Sequence, residues 1–113
     1  MTLDEYQQES KKTALYPKDD KNLNYPISYP VMGLVSEAGE VAGKVKKVIR
    51  DNGGIIDDTK KADIASEIGD VLWYTAQLCT ELGLSFDDVA KANLEKLFSR
   101  KDRGAIGGSG DNR

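Results

Sequence analysis

Two short acidic motifs constrain this chain more than any other feature, Glu37-Ala-Gly-Glu40 and Glu67-Ile-Gly-Asp70. Each lies in a segment whose apolar residues recur with a helical period, and residues three apart share one face of a helix. Each motif therefore projects two carboxylates side by side. Each also has a glycine before its second acid, which costs about 1 kcal/mol relative to alanine inside a helix. Close packing would offset that cost, so the motifs predict two helices that cross tightly.

A tight crossing would bring the four acids together, and their repulsion is tolerable only with raised pKa values or a bound cation. Oxygen ligands favour Mg²⁺ or Mn²⁺, and Mg²⁺ commonly completes its shell with waters and substrate phosphates. A triphosphate is then the expected ligand, and four cations at helical spacing could neutralise it: Lys44, Lys47, Lys96 and Arg100. The alternative is that the acids are exposed helix carboxylates, with Glu40 and Lys44 a surface pair worth a few tenths of a kcal/mol.

The composition of the chain excludes several classes of function. With 113 residues the chain has the length of one domain, and its net charge of -3 argues against a nucleic-acid partner, apart from a short basic cluster at 100–103. No apolar run approaches the ~20 residues of a membrane span and no signal peptide is visible, which predicts a cytoplasmic protein without a membrane partner. The lone Cys79 lies in an apolar stripe, and the absence of histidine argues against a zinc site or Ser-His catalysis.

Capping and turn signals divide the chain into four helices. Thr2 and Glu5 form a capping box for a first helix ending near Tyr16, before Pro17. A polar loop follows at 18–29, and Pro30 suits the first turn of a second helix over 30–51. The third helix is expected over 59–82 and the fourth over 86–100, separated by Gly83 and an N-cap at Ser85. The glycine-rich residues 104–113 are predicted to form a disordered tail after a domain of residues 1–103.

The acidic motifs and their surroundings resemble the MazG-like nucleoside triphosphate pyrophosphohydrolases. The pattern E-x-x-E followed after a gap by E-x-x-D resembles the signature of that family. The flanking sequences Leu34-Val-Ser-Glu-Ala-Gly-Glu-Val41, Gly69-Asp-Val-Leu-Trp-Tyr74 and Ala92-Asn-Leu-Glu-Lys-Leu97 strengthen the likeness, which covers about residues 3–100.

The resemblance implies an all-α fold, a four-helix bundle assembled from two or more subunits, and Mg²⁺-dependent cleavage of nucleoside triphosphates between the α and β phosphates. Mn²⁺ is a possible substitute. The products would be a nucleoside monophosphate and pyrophosphate. We expect a homodimer or homotetramer, because helices two and three carry apolar residues over a broad arc that the first helix cannot cover. The residues that match the metal ligands are Glu37, Glu40, Glu67 and Asp70, and one of the first pair would also handle the attacking water. Asn93 and Lys96 match polar positions near the substrate, while Lys44, Lys47 and Arg100 are weaker matches.

Other functions stay open at this point. A relative in the same superfamily could act on dUTP or phosphoribosyl-ATP, and a non-catalytic helical module could bind a nucleotide or a partner helix. Trp73 could stack on a base, although packing in a core or subunit interface is favoured for it. The first helix and the tyrosine-bearing loop are better placed to recognise the base, because the acids occupy the phosphate end.

Overall fold

The computed structural model describes residues 1–19 and 24–113, and within those ranges the chain is all-helical. Helix α1 spans Leu3–Lys11, α2 spans Tyr25–Asp51, α3 spans Asp58–Glu81 and α4 spans Phe86–Asp102. The all-α prediction is confirmed. In the described part of the chain, no helix combines the length and the apolar character needed to cross a membrane.

The helix ends follow the local signals in the sequence. Thr2 and Glu5 form the expected reciprocal capping box, and the side chains of Asp57 and Ser85 accept hydrogen bonds from backbone N–H groups three residues ahead. Gly83 ends α3 with φ +69°, and the Leu84 N–H donates to the carbonyl of Cys79 at 2.8 Å, as in a Schellman motif.

Helix α2 begins earlier than expected, and α1 ends earlier. α1 stops at Lys11 rather than near Tyr16, and α2 starts at Tyr25 rather than at Pro30, which lies buried inside the helix. The extra helical turn carries Tyr29, whose ring stacks on that of Tyr16 with centroids 4.8 Å apart. This long-range contact favours a helical conformation in the residues before Pro30, although the proline had suggested that the helix begins there. Residues 20–23 of the predicted loop lie outside the described residues.

Helices α2 and α3 form a long antiparallel pair, and α1 packs across α3. The buried core contains Ala76 and Cys79 of α3 with Phe86 at the start of α4, and Leu3 and Tyr6 of α1 pack against it. The amide of the buried Gln7, also in α1, donates to Thr80 Oγ1 and to the Leu84 carbonyl, and its oxygen accepts from the Phe86 N–H. α1 therefore fastens the α3–α4 turn.

The close helix approach occurs at a different glycine from those predicted. A Cβ added at Gly33 of α2 would overlap the Tyr74 ring of α3, whose Cζ atom would be 2.5 Å away. Cβ atoms added at Gly39 or Gly69 would meet nothing within 4 Å in this chain. The expectation that these two glycines mark the tight crossing is thus wrong within the described part of one subunit, where the glycine in close contact with the facing helix lies one turn before the first acidic motif.

One face of α2 is left uncovered. Six apolar side chains alternate at spacings of four and three along it and are all exposed: Val31, Val35, Ala38, Ala42, Val45 and Ile49. The radius of gyration is 17.2 Å, whereas about 13 Å is usual for a compact domain of this length. A single copy therefore leaves much of its apolar surface in water.

The C-terminal residues 104–113 were predicted to be disordered. In the structure they form turns against the end of α4, where Arg100 and Arg103 donate to the main-chain oxygens of Asp111 and Arg113. The placement of a domain boundary after residue 103 stays a prediction.

Candidate metal centre

Three of the four predicted acids meet between α2 and α3. Glu37 offers a carboxylate oxygen from α2, and Glu67 and Asp70 offer theirs from α3, all within 4.8 Å of one another. The i, i+3 spacing of Glu67 and Asp70 puts both on the face of α3 that packs against α2. The three residues supply oxygen atoms alone, which is the ligand type of a hard divalent cation.

The carboxylates of this acid group repel one another because they are close together. The pKa of Glu37 is raised, first by burial and then by the charges of Asp70, Glu67 and Glu40; a hydrogen bond with Glu67 raises it further. Lys44 offsets part of this charge, since its Nζ lies 3.6 Å from Glu67 Oε1. Lys44 therefore pairs across the helices with Glu67, and the alternative surface pair with Glu40 does not form.

Glu40 lies outside the acid group. It is exposed on α2 and contributes to the group through its charge on Glu37. Glu37 is half-buried because it faces α3, whereas Glu40 lies further around the helix.

Two tyrosines flank the acids, and neither was predicted from the sequence to lie at this site. The pKa of Tyr6 in α1 is raised by burial and then by the charge of Asp70. The pKa of Tyr74 is raised by burial, by its contact with Tyr29, and then by the charges of Glu37 and Asp70. Tyr74 could have been found from its spacing of four from Asp70, but Tyr6 comes to the site through the packing of α1.

Trp73 belongs to an aromatic cluster beside the site. Its ring meets the edge of Tyr74 at 4.9 Å and of Tyr16 at 6.3 Å, and its Nε1 donates to Thr13 Oγ1 at 2.8 Å. These contacts are those of a packed side chain, and they hold the segment after α1 onto α3.

The predicted cations lie in two different places. Lys44 and Lys47 line a surface cavity of about 180 Å³ between α2 and α3, together with Asp51, Lys60 and Asp63. Lys44 is the link between this cavity and the acid group, since it lines the cavity and its Nζ lies 3.6 Å from Glu67 Oε1.

The three predicted residues of α4 are not brought to the acids within one chain. The start of α4 packs on α1 and, through Phe86, on the last turns of α3, whereas Asn93 and Lys96 further along α4 are exposed. Arg100 is buried and points to the C-terminal turns. Across residues 1–19 and 24–113, no hydrogen bond or ion pair joins any of the three to the acid group.

Comparison with known proteins identifies the family of this chain. The model of the MazG nucleotide pyrophosphohydrolase domain matches residues 30–104, which include both acidic motifs and α4. The chain belongs to the MazG nucleotide pyrophosphohydrolase family. It is also similar to the Gene 37 protein of Mycobacterium phage L5, with 50% identity over 114 residues that span all of both chains. The name of that relative states no activity. No solved structure matches the chain.

Membership of the MazG family confirms the resemblance seen in the acidic motifs and implies a nucleotide substrate. The acids that meet in the structure are also those of the two motifs that carry the resemblance.

Proposed function

We propose that this protein is a Mg²⁺-dependent nucleoside triphosphate pyrophosphohydrolase that cleaves (d)NTPs between the α and β phosphates. The products are a (d)NMP and pyrophosphate. Family membership supports the substrate class. The observation that carries the proposal is the convergence of Glu37, Glu67 and Asp70 within 4.8 Å.

The donor set fits a hard cation. The oxygens of three carboxylates, with neither imidazole nor thiolate among them, suit Mg²⁺, with Mn²⁺ as a substitute. Glu37, Glu67 and Asp70 would hold the ion, with Glu40 at the edge. When bound, the ion supplies charge neutralisation for phosphate oxygens and lowers the pKa of water.

The remaining roles belong to side chains around the acids. Glu37 or Glu40 orients the attacking water, since both lie on the α2 side of the group. Lys44 and Lys47 bind the outer phosphates, because both line one cavity and Lys44 also lies 3.6 Å from Glu67. This arrangement directs water to the α-phosphorus and leaves pyrophosphate at the cationic end.

Asn93, Lys96 and Arg100 can contribute only if a second copy brings its α4 to the acids. The exposed apolar face of α2 supports such a homodimer or a pair of dimers, because a monomer would leave that face in water. The substrate site would then be shared between subunits. We place the enzyme in the cytoplasm, where nucleoside triphosphates are found.

Hydrolysis of a panel of NTPs and dNTPs in ¹⁸O-labelled water tests the proposal. We expect release of pyrophosphate, with the label in the nucleoside monophosphate. EDTA should abolish the reaction, and Mg²⁺ or Mn²⁺ but not Zn²⁺ should restore it. Label in pyrophosphate would show attack at the β-phosphorus, and released orthophosphate with a diphosphate would show attack at the γ-phosphorus. Either result, or the absence of turnover with every nucleotide, would contradict the proposed reaction.

A further inference from the structure

Another surface cavity, here called the tyrosine cavity, lies apart from the one that the lysines line. It has a volume of about 340 Å³ and is lined by Pro17, Tyr25, Tyr29 and Met32. Within the described residues, its lining side chains are all uncharged, and two of them are aromatic. A volume above about 300 Å³ with apolar and aromatic walls is typical of a small-molecule site. The family model begins at residue 30, so the family match does not include three of these four residues.

The wall that carries Pro17 is fixed by the residues on either side of it. Tyr16 is buried, its ring stacks on that of Tyr29, and its hydroxyl donates to Glu81 Oε1 at 2.6 Å. Lys18 Nζ lies 3.0 Å from the same carboxylate oxygen. These contacts attach the segment to α2 and α3, so the walls of the tyrosine cavity are held by the protein itself. Preorganised walls lower the entropy cost of binding.

Two of the lining side chains are accessible to a ligand. Tyr29 is 38% exposed and Met32 is 59% exposed. An exposed aromatic ring can stack on a nucleobase, because every base has a π-face, and a methionine sulfur makes favourable contacts with aromatic rings. The tyrosine cavity therefore suits a flat aromatic ring, whereas its uncharged lining does not suit a phosphate group.

The ring of Tyr74 links the tyrosine cavity to the acid group. Tyr29, Gly33 and Glu37 are four residues apart, so they lie in one row on the surface of α2. The Tyr74 ring lies over Gly33, and its centroid is 6.3 Å from that of Tyr29. Burial and contact with Tyr29 raise the pKa of Tyr74, and the charges of Glu37 and Asp70 raise it further. Tyr74 therefore neighbours both the cavity wall and the acids.

The separation between the two sites suits a nucleotide. Glu37 comes eight residues after Tyr29, so about 12 Å of helix axis separates the acids from the cavity wall. A carboxylate side chain, a phosphate and a sugar together span a distance of this order. A nucleotide whose phosphates lie at the acids can therefore carry its base to the tyrosine cavity.

We propose that the tyrosine cavity, lined by Pro17, Tyr25, Tyr29 and Met32, takes the base of the nucleotide substrate. The inference rests on the proposed function, since it takes the acid group to be the phosphate end. The base stacks on the ring of Tyr29 and contacts Met32, and the sugar lies towards Tyr74. The sequence indicated the first helix and the tyrosine-bearing loop for base recognition, and the cavity narrows this to four residues outside α1.

Methyl NMR of the full chain tests this inference with an internal control. The chain has two methionines, of which Met32 lines the tyrosine cavity and Met1 does not. The probes are the α,β-imido analogues of dATP and dCTP, added with Mg²⁺ to protein labelled with ¹³C at the methionine methyl groups. Either analogue should shift the Met32 signal, because the ring current of a bound base acts on a methyl group in contact with it. Inorganic pyrophosphate, which has no base, should leave Met32 in place, and Met1 should not shift with any probe.

Calorimetric titration of variants measures what the cavity walls contribute. Tyr29→Leu should weaken binding of the imido nucleotides about tenfold, which corresponds to about 1.4 kcal/mol. Met32→Ala should weaken it about fivefold, and this variant decides the test if Tyr29→Leu does not fold. Both variants should leave the affinity for pyrophosphate within about twofold of the wild type. Leu15→Ala is the matched control, because Leu15 is an exposed apolar side chain that does not line the cavity, and it should leave both affinities unchanged.

Several results would overturn the inference. They are the absence of nucleotide binding, an unmoved Met32 signal at saturating nucleotide, an equal shift with pyrophosphate, and an unchanged nucleotide affinity in Met32→Ala. A Met32 signal that depends on protein concentration but not on nucleotide would assign the cavity to a second copy of the chain, and would also overturn it. Failure of the proposed function gives a different result, because the nucleotide would then bind and shift Met32 without release of pyrophosphate.

Discussion

Replacement of Gly33 by alanine tests the packing that positions the acid group. The added Cβ would overlap the ring of Tyr74, with the Cζ atom 2.5 Å away. That ring cannot move freely, because the edge of Trp73 lies against it with centroids 4.9 Å apart and Tyr29 packs on it at 6.3 Å. Overpacking of this kind costs about 1–3 kcal/mol. Alanine regains about 1 kcal/mol through its higher helix propensity.

The expected net effect is a loss of up to about 2 kcal/mol, or a fall in Tm of at most roughly 8–16 °C if each kcal/mol shifts Tm by ~4–8 °C. Gly39→Ala is the matched control in the same helix, because its Cβ would enter open space. It should raise stability by up to about 1 kcal/mol. Chemical denaturation of both variants measures these values. Equal destabilisation of the two variants would refute the reasoning, because it would mean that contact with Tyr74 does not distinguish the two glycines.

Three further predictions concern the acids, the assembly and the pH dependence of stability. Asp70→Asn should lower the rate of pyrophosphate release by more than about a hundredfold, since mutation of a residue that only hydrogen-bonds to a metal ligand already lowers activity ~10- to 100-fold. Glu40→Gln should lower the rate less. The reverse order in a turnover assay would contradict the placement of Asp70 inside the acid group and Glu40 outside it. Light scattering should show a dimer or tetramer at micromolar concentration that Val35→Asp weakens, and a monomeric wild type would count against the assembly. Hydrogen bonds from the Asp87 N–H and the Ser85 hydroxyl lower the pKa of Asp4 below its usual 3.8. The ionised Asp4 therefore stabilises the folded state at a pH above about 4, and this contribution to the free energy of unfolding is lost as the pH falls through the lowered pKa. Asp4→Asn should remove that part of the acid dependence in denaturation curves, and an unchanged curve would exclude it.

The local signals in the sequence determined the helix count and most helix ends. Thr2 and Ser85 cap their helices as predicted, because capping is a contact between residues three apart, which the sequence contains directly. The acidic motifs likewise indicated the family, and their i, i+3 spacing placed Glu67 and Asp70 on one face of α3.

Tertiary packing decided what lies between the helices. The rotation of α2 against α3 brings Glu37 into the acid group and leaves Glu40 outside it, although both residues belong to one motif. The same rotation places the tight approach at Gly33 rather than at Gly39. Tyr6 and the early start of α2 depend on contacts between segments far apart in sequence. Helical periodicity defines the faces of one helix, whereas the orientation of two helices depends on which side chains interlock across them.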